Sequence, residues 1–312
     1  MKTTHILGAM TVAGLAAGAA SAATLDDVKS AGELKCGVTT GLVGFAAPDA
    51  NGKWSGFDVS VCRAIAAAVL GDADKVQYVP TTGKTRFTSL ASGEVDVLAR
   101  NTTWTFSRDT DLGFDFVGVN YYDGQGFMVP TALGVTSAKE LDGATICIQT
   151  GTTTELNLAD FFRANNMSYE PVPIETNAEG QQKYLADACD SYTTDMSGLA
   201  STRATFETPK DHILLPEVIS KEPLGPLVRH GDNDWGDIVM WTLNALIAAE
   251  EYGVTKENME QMKAESVNPE VRRLLGVEGD LGAMIGLDAD WAYRAIAADG
   301  NYGEIFAANL GP

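Results

Sequence analysis

The sequence predicts a two-lobed α/β protein, each lobe an open, mostly parallel sheet flanked by helices, with two hinge crossings between the lobes. Three observations carry that expectation. Short apolar strands alternate with amphipathic helices, the pattern of open parallel sheets. Polar stretches follow the carboxyl ends of those strands, where such sheets take ligands. Two short segments, near 124 and near 224, interrupt the alternation as crossings between lobes do.

The chain opens on Lys2 and His5, then a run of small apolar residues from Ile6 to Ala20 and an Ala20-Ser21-Ala22 cleavage pattern, so 1–23 reads as a secretory signal peptide. The run is too short and too rich in Ala and Gly for a transmembrane anchor, which needs about 20 strongly apolar residues. No membrane insertion is expected. About 289 residues remain, enough for two ordinary domains.

The formal charge is −20, or −21 once Lys2 is removed. Such acidity repels nucleic acid and anionic headgroups, and an anionic ligand has to be drawn in by local cations. Beyond the leader the only histidines are His212 and His230, too few for a His-rich metal site or a Ser-His-Asp triad. No metal, cofactor or nucleic-acid partner is expected.

Leu34 to Val38 reads as a strand, followed by a Gly-rich loop from Thr39 to Gly44. Asp58 is placed to cap a helix whose apolar residues Val61, Ile65 and Val69 recur every four positions and which stops at Gly71. Val76 to Val79 is a second strand, Thr85 to Ser92 a short helix ended by Gly93, and Val95 to Ala99 a third strand. The first crossing runs from Asn120 to Gly126, and Phe127 to Val129 starts the next strand. Ala144 to Ile148 is a strand leading to Gly151-Thr152-Thr153-Thr154-Glu155, where Thr152 and Glu155 have capping-box spacing and Leu158, Phe161 and Phe162 share one helix face. Tyr192 to Thr194 ends on Asp195 before a helix from Ser197 to Phe206. Lys221 to Pro226 is the return crossing, Trp235 to Ala249 a long amphipathic helix, and Asn268-Pro269 the start of another that stops near Gly276. The expected division is 24–124 for the first part of lobe one, 125–224 for lobe two, and 225–312 for the completion of lobe one.

Cys36, Cys62, Cys147 and Cys189 are even in number and contain no C-x-x-C, so in an oxidising compartment they suggest two disulfides with three possible connectivities. Pairing 36 with 62 and 147 with 189 keeps each bridge inside one lobe.

The stretch from Ala99 to Arg108, A-R-N-T-T-W-T-F-S-R, offers hydroxyls, an amide and a guanidinium whose planar fork matches a carboxylate two bonds at a time. It resembles the carboxylate-clamping segment of the periplasmic amino-acid-binding proteins of ABC importers, in which hydroxyl residues stand seven and five positions before an arginine. Asn101 and Thr103 occupy those spacings relative to Arg108, with Asn where Ser or Thr is usual. Gly56-Phe57-Asp58-Val59, Leu90-x-Ser92-Gly93-x-Val95-Asp96, Phe114-Asp115-Phe116, and the closing Asp290-Trp291 and Asn301-Tyr302-Gly303-Glu304-Ile305 extend the resemblance over nearly all of the chain after the leader.

The resemblance implies a type II solute-binding fold in the periplasm. The expected function is capture of L-amino acids by lobe closure and delivery to an inner-membrane ABC permease, as a monomer and without catalysis. Within the family the chain is most similar to the receptors for polar and general L-amino acids, including glutamate, glutamine, aspartate and asparagine. It also implies that Arg108 holds the ligand's α-carboxylate, that Thr152 and Thr153 form the family's Gly-[Ser/Thr]-Thr loop with Thr153 facing the ligand, and that Asp195 accepts the α-ammonium. Arg86, after the Thr81-Thr82-Gly83-Lys84 loop, is implied to read the ligand's side chain, with Thr85 where the family usually has Asn. Phe45 or Trp54 is expected to supply an apolar wall. Each residue also has a plainer structural role available: a surface cation for Arg86, an N-cap for Thr152 and Asp195, a core contact for the aromatics. The second function considered is an enzyme on the same fold, such as a cyclohexadienyl-type dehydratase, which needs an acid or base aimed at the reacting carbon.

Overall fold

The computed structural model describes residues 24–311, and the segment 1–23 read as a signal peptide lies outside them. In chain order β1 (Leu34–Thr39), β2 (Val76–Thr81), β3 (Val97–Leu98) and β4 (Phe114–Phe116) belong to the first sheet. β5 (Tyr121–Asp123) leads across to a second sheet of β6 (Gln125–Pro130), β7 (Thr145–Gln149), β8 (Glu170–Ile174), β9 (Ser191–Asp195) and β10 (His212–Leu214). β11 (Glu222–Leu224) returns, and β12 (Leu227–Arg229) enters the first sheet.

The strand orders are β2-β1-β3-β12-β4 and β8-β7-β9-β6-β10. Each sheet is therefore mixed: β12 in one and β6 in the other run against their neighbours on both sides, and the remaining strands share a direction. Each reversed strand directly follows a crossing (β6 after β5, β12 after β11), which is why the strand-helix alternation did not announce it. The crossings pair antiparallel with each other, Glu222 opposite Asp123 and Leu224 opposite Tyr121, so the lobes are joined by a two-stranded ribbon.

In the first lobe, helix Phe57–Leu70 is apolar almost all round, and Ile65 and Cys62 are fully enclosed between the sheet and helices Trp291–Asp299 and Asn233–Glu251. Burying a side chain the size of Ile65 contributes about 1.5 to 3 kcal/mol. The helix ends at Gly71 in the left-handed region, φ 75°, with its N–H on the Ala67 carbonyl. Its start differs from the sequence expectation. Gly56 is the N-cap, and Asp58 sits in the first turn, buried, with its carboxylate accepting the Asn101 N–H at 2.9 Å. A β-carbon at Gly56 would stand 2.2 Å from the Phe45 carbonyl oxygen, so this entry requires glycine.

The third strand shortens to Val97–Leu98. The second lobe packs Phe127, Ile146, Ile148, Leu158 and Phe162 on one side of its sheet, and Met128, Tyr184, Tyr192 and Leu199 on the other. Cys36 pairs with Cys62 and Cys147 with Cys189, at Cα separations of 6.2 and 5.6 Å. No helix among the described residues is long and apolar enough to cross a membrane.

Candidate functional site

The carboxyl ends of β1, β3, β7 and β9 converge between the lobes. The stretch after β3 is bent by Asn101, whose φ of +36° is rare outside glycine and is held by the Asp58 carboxylate beneath it. Burial pushes Asp58 up to about 7 against the lowering effects of the Asn101 N–H, Arg100 and Asn120. The bend turns Arg100, Asn101 and Thr103 into the cleft, while Thr105 caps the helix Phe106–Thr110 that carries Arg108.

Arg86, Arg100, Asn101, Thr103, Thr152, Thr153 and Asp195 meet around one cavity of about 20 Å³, joined by Gln149, Thr154 and Thr194. That volume suits about one water. Around it the lobes touch. The Arg86 Nη2 donates to the Gly151 carbonyl at 3.4 Å, the Asn177 Nδ2 to the Gly41 carbonyl at 3.2 Å, and exposed Lys84 pairs with Glu175 at 3.1 Å.

Arg108 stands apart from the cavity lining. It is buried, its Nη1 donates to the Thr103 carbonyl at 2.8 Å, and its guanidinium lies 5.2 Å from the Phe87 ring centre. Burial lowers it to about 10 while Glu222 and Asp195 raise it, so it stays a cation at neutral pH. Asp195 ends β9 at an N-cap position but makes no side-chain cap. Burial, then the neighbouring Asp123 and Glu222, push its carboxyl well above the usual range, and Arg86 and Arg108 oppose this. A carboxyl in that condition gains from a cation brought to it.

Thr152 is occupied structurally: its hydroxyl donates to the Gln149 carbonyl at 2.6 Å and accepts the Glu155 N–H at 3.2 Å. The Glu155 carboxylate takes the Gly151 N–H at 2.9 Å, so the reciprocal cap is displaced by one residue. Phe45 and Trp54 do not line the cavity. Phe45 is buried edge-on against Phe57 and Tyr121, and Trp54 packs on Tyr78 beside an outer groove.

Glu222 was not singled out in the sequence, and it is the most connected group in the cleft. Fully buried on β11, it accepts from the hydroxyls of Thr103 and Thr153, from the Asn157 Nδ2 at 2.7 Å and from the Ser220 hydroxyl at 2.6 Å. It thereby ties both lobes to the hinge. Arg100 and Gln149 were also not assigned; the available signal was an ionisable or amide side chain at a strand end within an otherwise polar cleft.

Residues 34–258 match the family model for bacterial extracellular solute-binding proteins, family 3. The chain belongs to that family. Among its relatives, the glutamate/glutamine/aspartate/asparagine-binding protein BztA of Rhodobacter capsulatus is 70% identical over 100% of this chain and 92% of its own length. The general L-amino acid-binding periplasmic protein AapJ of Rhizobium johnstonii is 58% identical over the same shares, 100% and 92%. A solved structure, the ABC transporter/periplasmic binding protein of Brucella ovis with glutathione bound, superposes with a TM-score of 0.90 at 56% identity, covering 93% of this chain and 92% of that one.

Proposed function

We propose that this family 3 protein is a periplasmic receptor that captures L-amino acids, polar and acidic ones and their amides favoured, and delivers them to an inner-membrane ABC permease. The observation that carries the reading is the convergence of buried cations, hydroxyls and the carboxyl groups of Asp195 and Glu222 from both lobes and the hinge on a single cleft. A zwitterion needs both signs a few ångströms apart, and Arg108 and Asp195 supply them from opposite lobes. Thr103 and Thr153 add donors to the α-carboxylate once the lobes part from Glu222, and the Asn101 Oδ1, buried without a partner among the described residues, adds an acceptor. The names of BztA and AapJ support the ligand class. So does the glutathione of the Brucella structure, whose γ-glutamyl end presents the same free α-amino and α-carboxyl groups.

The lobes in this reading are 24–124 with 225–312, and 125–224, turning about the β5–β11 ribbon as a monomer. Domain closure about two short strands leaves each lobe rigid. Binding without turnover is part of the proposal. Incubation with the twenty L-amino acids and with prephenate or arogenate, followed by mass spectrometry of protein-released ligand and of products, tests it. Recovery of unaltered amino acid is expected; sustained product formation sinks the receptor reading in favour of a dehydratase.

A further inference from the structure

Arg100 is 3% exposed and reaches the cleft from the end of β3. Its Nε donates to the Thr81 carbonyl at 3.2 Å, and among the described residues its two terminal nitrogens find no acceptor. Among the described residues no carboxylate pairs with it within 4.0 Å, and Asp58 below accepts the Asn101 N–H. Arg86 faces the same cavity, 2% exposed, with its Nε buried and without a partner among the described residues and its terminal nitrogens on Thr102 and Gly151 at 3.4 Å. Burial lowers both guanidiniums, Arg100 to about 10, which leaves it protonated at neutral pH; Arg100 and Arg108 lower Arg86 further, Arg108 lowers Arg100, and the Asp195 carboxylate opposes the shift in both.

Two buried cations on one cavity, sharing the single Asp195 carboxylate of its lining and neither paired with it within 4.0 Å, are a seat for an anion. We propose that Arg100 is a specificity-determining residue that joins Arg86 in a two-guanidinium seat for the distal carboxylate of an acidic L-amino acid. The inference rests on the amino-acid-receptor reading above. With one guanidinium, a ligand amide satisfies the site by offering its oxygen and turning its NH2 away. With a second donor on the other side, that NH2 meets another N–H and the contact is lost. A carboxylate accepts from both. The seat therefore ranks glutamate over glutamine, and aspartate over asparagine.

Calorimetry of the mature protein with glutamate, glutamine and alanine, on wild type, Arg100→Gln and Arg100→Lys, tests this. Wild type is expected to bind glutamate at least about threefold tighter than glutamine. Arg100→Gln, whose amide can still donate to Thr81 and accept the ligand NH2, should lose about tenfold or more for glutamate and under about threefold for glutamine. Arg100→Lys should keep part of the preference. Equal losses for all three ligands would show that Arg100 only supports the cleft and would overturn the inference. Should the variants fail to fold, glutamine binding as tightly as glutamate in wild type overturns it alone. Wild type that binds no amino acid overturns the receptor reading itself, and this inference with it.

Discussion

The Asp58 carboxylate accepts the Asn101 N–H at 2.9 Å, 43 residues away in sequence, and so a buried acid holds the left-handed bend from which Arg100, Asn101 and Thr103 reach the cleft. Burial raises this group to about 7 from the ordinary 3.8. The folded state therefore holds the proton more tightly than the unfolded chain. Its stabilising contribution is complete below about pH 4, declines as pH rises, and is gone above about pH 7. Asp58→Asn keeps an oxygen for Asn101 and removes the titration. Urea unfolding at pH 5 and pH 8 should show the variant gaining on wild type at the higher pH, by on the order of 2 kcal/mol. Parallel pH dependence in the two proteins would mean that Asp58 does not titrate between them.

Arg108 and Asp195 are expected to act together on the two ends of the ligand's α-carbon. Removing one partner of a buried charged contact costs about 2 to 5 kcal/mol, roughly thirty-fold or more in affinity. Calorimetry on Arg108→Ala and Asp195→Ala should show that loss for every amino acid that binds. Near-normal affinity in either variant places the zwitterion elsewhere.

Arg86→Leu should weaken glutamate and aspartate more than glutamine and asparagine, because a charge-assisted hydrogen bond contributes roughly twice a neutral one. Apolar ligands should be unaffected or bind better. The check is a competition series with glutamate, glutamine and leucine, and equal losses across it would assign Arg86 to the fold.

Gly83 packs against the opposite lobe: a β-carbon there would stand 2.6 Å from the Thr150 carbonyl oxygen. Gly83→Ala should leave each lobe folded but prevent this degree of closure, lowering ligand affinity by about tenfold while the melting temperature without ligand changes little. Small-angle scattering with and without saturating glutamate measures the closure. Identical compaction of variant and wild type would count against the contact.

Local pattern made much of this legible. The four-residue spacing of Val61, Ile65 and Val69 gave the first helix and Gly71 its end, and the polar stretch after the third strand does put Thr103 on the cavity, with Arg108 outside its lining. Side-chain direction was not legible. Phe45 seemed a wall for the ligand, yet it faces inward onto Phe57. Asp58 looked like a cap because carboxylates favour helix starts, but the close approach of Phe45 reserves that position for Gly56. Glu222 sits beside Pro223 in a hinge and reads as a solvated charge; the Thr103 and Thr153 hydroxyls that enclose it lie 119 and 69 residues away. Such long-range partners leave no periodic trace.

Equilibrium titration of the mature, ligand-stripped protein with glutamate, glutamine, aspartate and asparagine measures whether an amino acid is captured reversibly between the lobes. Saturable one-to-one binding of all four is predicted, with the ligand recovered unchanged. A folded protein that binds none of the four would contradict the account.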